Sequence, residues 1–111
     1  MTTVRYDEKN VTLEVSGHAG YAPNGADIVC AAASILVQTL LKNLIRYKNH
    51  GWYTLEYEMG DGKAYIHCRT NGYFSFIVEM FRFTMEGLKM LAQEYPKHIR
   101  IEEGGNEDGT V

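Results

Sequence analysis

The sequence predicts an α+β domain with two layers, in which a mixed or mainly antiparallel five-stranded sheet carries two helices packed on one face. Short stretches of alternating apolar and polar residues are typical of half-buried strands, and two long stretches carry apolar side chains at helical spacing. In chain order they give β-β-α-β-β-α-β, without a solenoid-type repeat. We expect residues 1–104 to form one domain and residues 105–111, rich in glycine and acidic residues, to form a frayed tail.

The first two strands are predicted at residues 2–7 and 11–17, joined by a turn at residues 8–10. Strict alternation places three apolar side chains of the second strand on the core face, namely Val11, Leu13 and Val15. His18 continues the outward-facing set, and Gly17 before it permits a bend. The pattern therefore predicts His18 at an edge or rim of the sheet.

The first helix is predicted over about residues 28–48. Its first half is apolar nearly all round, which is typical of a helix in a crowded position. The alanines at 31–33 allow a close approach to the sheet or to the second helix, and Gly51 is a stop signal.

A second hairpin is predicted from residues 52–59 and 63–70, with Gly-Asp-Gly at 60–62 as its turn. Alternation gives one probable core face on each strand, comprising Tyr53, Leu55, Tyr57 and Met59 on the first and Ala64, Ile66 and Cys68 on the second. Cys68 is therefore expected to be a structural thiol, and His67 to lie on the opposite side of its strand.

The second helix is predicted over about residues 73–95 and ends before Pro96. Its core stripe comprises Phe74, Ile77, Val78, Phe81, Met85 and Leu88. Further apolar residues widen that stripe, namely Tyr73, Phe76, Met80, Phe83 and Met90. Either the core is thick, or this helix also meets another subunit or an apolar substrate. A last strand is predicted at residues 97–103, with Ile99 and Ile101 inward.

Composition excludes several classes of function. The chain has 111 residues, 45% of them hydrophobic, and a net charge of −3, so a general nucleic-acid binder is not expected. Two cysteines do not make a disulfide scaffold. The first residues lack a secretory signal pattern, and the apolar run at 28–41 is expected to be too short to span a bilayer. We expect a cytoplasmic protein with reduced thiols and no contact with a membrane.

Neither a metal nor an organic cofactor is expected from the motifs. The chain lacks C-x-x-C and H-x-x-x-H spacings, and it has no P-loop and no dinucleotide-binding G-x-G-x-x-G.

The candidate chemistry lies between residues 17 and 40, where His18 ends a strand and Cys30 begins a helix. Two rigid elements can bring a base and a nucleophile together in this way. Asp27 is a good N-cap, and the free N–H groups of a first helical turn favour a thiolate. A carboxylate of Asp27 turned toward the sulfur would have the opposite effect. Ser34 follows Cys30 by four residues on the same helix face, where it can contact the thiol, a substrate or only the preceding turn.

Each of these residues also has an alternative interpretation as a structural residue without a catalytic role. A cysteine among isoleucine, valine and alanine is usually an inert buried thiol, a histidine at a strand end is usually a surface residue, and Asp27 can be a cap in a protein of any function. The loop between them is either an ordinary connection or a lid that orders over a peptide. Its residues are Gly20, Tyr21, Ala22, Pro23, Asn24, Gly25 and Ala26.

This segment resembles the ribosomal-processing cysteine protease family, often called Prp. The resemblance rests on G-H-A at residues 17–19, a glycine-containing loop, and D-I-V-C-A-A-A-S at residues 27–34. It covers less than a fifth of the chain, and length and element order agree more loosely. It implies that Cys30 is the nucleophile and His18 its partner, with Asp27 and Ser34 in supporting roles.

The resemblance also implies a substrate and an assembly. The substrate would be the precursor of a bacterial large-subunit ribosomal protein, from which the family removes a short N-terminal extension after aromatic residues. The family forms homodimers. The alternative hypothesis is a noncatalytic adaptor that binds ribosomal protein or another partner through the second helix, with Cys30 merely part of the core.

Overall fold

The computed structural model describes residues 1–23, 25–72 and 74–104. The strands are β1 (Thr2–Asp7), β2 (Thr12–Ser16), β3 (Tyr53–Gly60), β4 (Lys63–Thr70) and β5 (Ile99–Gly104). The helices are α1 (Ile28–Tyr47), which continues into a 3-10 turn at Lys48–His50, and α2 (Phe74–Glu94). The predicted order β-β-α-β-β-α-β is confirmed. The predicted tail at residues 105–111 lies outside the described residues, as do Asn24 and Tyr73.

The strands form one mixed sheet in the order β3-β4-β2-β1-β5. β1 pairs with β2 in antiparallel fashion, and so do β2 with β4 and β3 with β4. β5 pairs with β1 in parallel fashion, because the chain returns to the sheet through α2. Both helices pack on the same face and against each other, which confirms the predicted two-layer arrangement.

The core lies between the sheet and the two helices. Periodicity predicted most of it correctly, since Leu13, Ile66 and Cys68 are all buried on the inward face of their strands. The predicted stripe of α2 is buried at Ile77, Val78, Phe81, Met85 and Leu88. The ring of Phe81 stacks on that of Tyr6 of β1, with centroids 5.8 Å apart, which joins the helix layer to the sheet.

The inward face of β3 was predicted wrongly. Tyr57 and Met59 share the side of Tyr53, yet Tyr57 is 50% exposed and Met59 39%. β3 is an edge strand, and both of its faces are exposed along residues 56–60. Alternation identifies which side chains share a face, but it does not show how far the helix layer extends across that face.

Smaller differences occur at the element ends. Val11 has a left-handed backbone conformation with φ of 46° and belongs to the turn, so β2 begins one residue later than predicted. The side chain of Val11 is nevertheless buried. Phe74, predicted in the core stripe, is exposed at the start of α2. The last strand, predicted at residues 97–103, begins two residues later and extends to Gly104, which pairs with Asp7.

The two helices lie close together at Gly87. A Cβ on Gly87 would lie 2.7 Å from Cδ2 of Leu36, so only glycine fits beside that side chain without a shift. Of the alanines at 31–33, only Ala33 is buried.

The outer surface of α2 carries an apolar stripe of Phe76, Phe83 and Met90, which are 48%, 75% and 62% exposed. They recur every seven residues and therefore lie on one side of the helix. Phe83 and Met90 are mostly exposed, so the interpretation that they thicken the core is wrong for this chain on its own. The ring of Phe76 also meets that of Trp52 edge-on, with centroids 5.6 Å apart.

α1 keeps its predicted bounds to within one residue, but its apolar stretch is longer than the expected run at 28–41. By length and composition alone, Ile28–His50 is long and apolar enough to cross a membrane, with 33% of its most apolar window buried in the fold. One such helix is weak evidence, because the core helices of soluble proteins meet the same criterion.

Candidate active site

His18, Asp27, Cys30 and Ser34 line one cleft of about 410 Å³ between the first turns of α1 and the β3–β4 turn, and of the described loop residues Gly25 joins them. The end of β2 contributes Gly17 and His18, and α1 with its cap contributes Asp27, Cys30 and Ser34. The opposite wall is formed by residues 59–64, which include Asp61 and Gly62. Sequence reasoning missed this wall, because a glycine-rich hairpin turn carries no signal of what lies across from it.

Cys30 occupies the third position of α1 and is partly exposed to the cleft. Its Sγ accepts a hydrogen bond from the backbone N–H of Ala19 at 3.2 Å. This donor comes from the segment just after β2, not from the helix itself. A hydrogen bond from a backbone N–H stabilises a thiolate more than a neutral thiol, because the sulfur is then charged.

Asp27 is the N-cap of α1, as predicted. Its Oδ1 accepts hydrogen bonds from the backbone N–H groups of Val29 at 3.0 Å and Cys30 at 2.9 Å. Its Oδ2 accepts from the N–H groups of Tyr21 at 3.0 Å and Ala22 at 3.4 Å. The same carboxylate therefore caps the helix and anchors the start of the loop, and the sequence predicted only the first of these roles.

The environment of Asp27 sets its charge state. Burial alone would raise the pKa of this carboxyl, but the hydrogen bonds from the N–H groups of Cys30, Tyr21 and Ala22 outweigh it and hold the pKa below its ordinary value. Of the two orientations that the sequence left open for Asp27, the carboxylate takes the one toward the backbone, where its two oxygens accept from four N–H groups.

His18 lies at the rim of the sheet, as predicted, with about half of its side chain exposed. Its Nε2 is 3.6 Å from Oδ1 of Asp61, which is itself almost fully exposed. The ring also lies against Gly62, whose Cβ, if present, would be 2.9 Å from Nε2. Both side chains line the cleft, and within the described residues no hydrogen bond joins His18 to Cys30.

Tyr21 lies near the start of the loop that follows His18. Its ring makes edge contacts with the rings of Tyr95 and His98, each with centroids 5.4 Å apart. Farther along, the N–H of Ala26 donates to the carbonyl of Pro23 at 3.0 Å. Ser34 lines the cleft on the same helix face as Cys30 and is exposed there.

The second thiol lies far from this chemistry. Cys68 is buried in the core, and burial raises its pKa to about 12, as expected of a structural thiol. His67 turns the other way, and its Nδ1 lies 2.8 Å from the hydroxyl of Thr12. Both cysteines are free thiols. In the described part of the chain, no three His, Cys, Asp or Glu side chains group so that they could hold a metal ion.

The arrangement suits acyl transfer. An accessible thiol at a helix N-terminus receives a backbone hydrogen bond, and an imidazole in the same cleft can exchange protons with solvent or substrate. Nucleophilic catalysis by cysteine needs these two groups and room for a carbonyl between them.

Comparisons with known proteins also indicate a cysteine protease. The family model described as "Cysteine protease Prp" matches residues 1–100 of the chain. The essential ribosomal processing protease Prp from S. aureus, in complex with a covalently linked product peptide, is 26% identical with a TM-score of 0.75, covering 93% of this chain and 99% of that chain. No curated protein gives a significant match to this chain.

Two further solved structures share the fold. SMU.848 from Streptococcus mutans is 24% identical with a TM-score of 0.64, covering 93% of this chain and 91% of that chain. The S. aureus protease in complex with a substrate peptide is 23% identical with a TM-score of 0.67, covering 93% of this chain and 99% of that chain. Because the family model spans residues 1–100, this chain belongs to the Prp family of cysteine proteases.

Proposed function

We propose that this protein is a cysteine endopeptidase that removes the short N-terminal extension from the precursor of a bacterial large-subunit ribosomal protein. Cys30 is the nucleophile and His18 the acid–base partner in this proposal, while Asp27 and Ser34 support them. The observation that carries it is the shared cleft, in which Cys30 at the start of α1 accepts a backbone hydrogen bond and faces the same opening as His18.

In the proposed reaction the thiolate of Cys30 attacks the scissile carbonyl carbon, and an S–C bond forms as the carbonyl oxygen takes up negative charge. His18, which has taken the thiol proton, gives it to the departing amine as the C–N bond breaks, leaving a thioester. Water then attacks the thioester, His18 takes a proton from it, and the sulfur leaves as thiolate. One water molecule is consumed for each peptide bond cleaved.

His18 has to move for this reaction. In the structure it lies against the β3–β4 turn, with Nε2 3.6 Å from Oδ1 of Asp61. We place its approach to Cys30 in the peptide-bound state, because catalytic hydrogen bonds often tighten only when substrate binds. Residues 20–26 would then close over the peptide as a lid.

The S. aureus relative supports the choice of substrate. That protein is named as a ribosomal processing protease and was solved with a substrate peptide and with a covalently linked product peptide. A net charge of −3 also favours recognition of a protein segment over ribosomal RNA. We further propose a cytoplasmic homodimer that contacts neither nucleic acid nor membrane, with the stripe of Phe76, Phe83 and Met90 at the dimer interface.

The test is incubation of the purified protein with a ribosomal precursor that carries its extension, followed by intact mass measurement. We expect the precursor to lose the mass of its extension with the wild-type protein and to stay intact with Cys30→Ala. Cleavage by Cys30→Ala at the wild-type rate would contradict the proposal, and so would an unchanged precursor after long incubation with wild-type protein.

The exposed stripe of α2 also favours a second candidate, a noncatalytic adaptor that holds ribosomal protein through this surface. It predicts a stable complex with uncleaved precursor, which Phe83→Glu would weaken and Cys30→Ala would not.

A further inference from the structure

We infer that the backbone N–H of Ala19 is a catalytic donor that stabilises the thiolate of Cys30, and that His98 is the positioning residue that holds this donor on the sulfur. The inference rests on the proposed function, in which Cys30 is the nucleophile. It assigns a role to a histidine that lies 79 residues away from Ala19 in the sequence.

Three N–H groups in the first turn of α1 already have hydrogen-bond partners other than the sulfur. The N–H groups of Val29 and Cys30 both donate to Oδ1 of Asp27, at 3.0 and 2.9 Å, and that of Ala31 donates to the Asp27 carbonyl at 3.0 Å. Among the described residues, the backbone donor bonded to Sγ of Cys30 is therefore that of Ala19, at 3.2 Å. Thiolate stabilisation by a discrete hydrogen bond thus comes from outside α1.

The side chain of Ala19 is buried in the core, but its carbonyl leads into a glycine and needs a further support. Gly20 has a φ of +71° and nothing within 4 Å of an added Cβ, so the chain can readily turn at this point. The support is Nδ1 of His98, which lies 3.1 Å from the carbonyl oxygen of Ala19. A carbonyl oxygen only accepts, so Nδ1 carries the proton and the imidazole donates.

His98 is itself fixed by its main chain. Its carbonyl accepts from the N–H of Thr2 at the start of β1 at 3.0 Å, and its N–H donates to the carbonyl of Tyr95 at 2.9 Å. The backbone that carries the ring is therefore hydrogen-bonded both to β1 and to the residue that follows α2. A donor on so firmly held a backbone keeps the Ala19 carbonyl in place while the loop beyond it changes shape.

His98 also contacts the residue after the glycine, because its ring meets that of Tyr21 edge-on at 5.4 Å. The hydrogen bond to Ala19 and the ring contact to Tyr21 can be separated by substitution. His98→Phe keeps an aromatic ring and loses the donor. His98→Asn loses the ring and keeps an N–H donor at the δ position.

The experiment measures the rate of Cys30 alkylation by iodoacetamide from pH 5 to 10, with the modified residue identified by peptide mass. For His98→Phe we expect alkylation at neutral pH about tenfold slower than wild type and the midpoint of the profile about one pH unit higher. For His98→Asn we expect the wild-type profile to within about twofold. Asp27 and His18 are unchanged in every variant, so their effects on the thiol cancel in the comparison.

Turnover of the ribosomal precursor should change in parallel with the alkylation rate. We expect kcat to be about tenfold lower in His98→Phe and KM to be nearly unchanged. His67→Phe is the matched control, because His67 also bonds through Nδ1 to an oxygen, at 2.8 Å, but lies outside the cleft. It should leave both measurements at the wild-type values.

Three results would overturn the inference. They are a wild-type profile in His98→Phe, a loss in His98→Asn with retention in His98→Phe, and an equal loss in both variants at unchanged thermal stability. The proposed function fails differently: wild-type protein then leaves the precursor intact and Cys30 unreactive, whatever residue stands at position 98.

Discussion

The backbone of Gly62 lies directly against the imidazole of His18: a Cβ at Gly62 would be 2.9 Å from Nε2, closer than a Cβ approaches an atom to which it is not bonded. The β3–β4 turn thus provides the surface on which the proposed base rests. The ring of His18 therefore packs against a residue that carries no side chain.

We expect Gly62→Ala to displace His18 and to lower kcat/KM by about 10- to 100-fold, because the ring then begins its approach to Cys30 from a misplaced position, and misplacement by about 1 Å is that costly in an active site. Gly62 also has a φ of +69°, which strains any other residue. Gly51→Ala is the matched control, because Gly51 has a φ of +79° but nothing within 4 Å of an added Cβ. It should lose similar stability, about 1 kcal/mol, and keep full activity. Equal activity in the two variants would show that the contact does not position His18.

His18→Ala should lower kcat by about 10²- to 10⁴-fold, because general acid–base help contributes about that much. The precursor assay with mass detection measures the loss. His67→Ala should keep wild-type turnover, since His67 bonds to Thr12 on the outer side of β4. Full turnover in His18→Ala would remove His18 from the mechanism.

The two cysteines should differ sharply in reactivity. We expect iodoacetamide to modify Cys30 and to leave Cys68 unmodified in the folded protein, because Cys68 is buried and its pKa is raised to about 12. Peptide mass after a short exposure at neutral pH measures this. Cys30→Ser should abolish cleavage with the fold intact, whereas Cys68→Ser should keep cleavage and lose about 1–2 kcal/mol of stability. Loss of turnover in a stably folded Cys68→Ser would mean that the nucleophile is the other thiol.

Asp27→Asn should separate the cap from the loop anchor. Asparagine also caps helices well, but its amide nitrogen cannot accept hydrogen bonds from the N–H groups of Tyr21 and Ala22. We expect α1 to persist, the amides of Tyr21 and Ala22 to exchange faster with solvent, and kcat to fall less than in His18→Ala. A loss as large as that of His18→Ala would make Asp27 a participant in the chemistry.

The pH dependence of stability should also change in Asp27→Asn. The folded-state pKa of Asp27 lies below its ordinary value, so the ionised carboxylate adds stability above about pH 4, and this stability is lost as the pH falls through the folded pKa. Urea unfolding between pH 2.5 and 7 should therefore show a shallower acid decline in the variant than in the wild type. Parallel declines would mean that Asp27 gains nothing from its four hydrogen bonds.

The outer stripe of α2 should mediate dimer formation. We expect sedimentation at micromolar concentration to give a dimer for the wild-type protein and a monomer for Phe83→Glu, because a buried unpaired charge opposes association. Thr54→Glu on the exposed side of β3 is a control that should stay dimeric. A wild-type protein that sediments as a monomer would contradict the proposed interface.

Local sequence patterns determined the element order and most of the core. Alternation placed Leu13 and Ile66 inward, helical spacing placed Phe81 inward, and capping chemistry set the start of α1 at Asp27. These features could be predicted because each depends on residues within a few positions of one another, where backbone geometry fixes which side chains share a face. The prediction of His18 at the rim succeeded for the same reason.

Only the tertiary structure decided what surrounds the candidate nucleophile and base. Gly62 against His18 and His98 on Ala19 join residues that are far apart in the chain, and no local periodicity records such pairs. The exposure of Tyr57 and Met59 likewise depends on where the helix layer ends, not on their own strand. The sequence alone placed a thiol and an imidazole near each other, whereas strand pairing and helix packing determined which backbone groups hold them there.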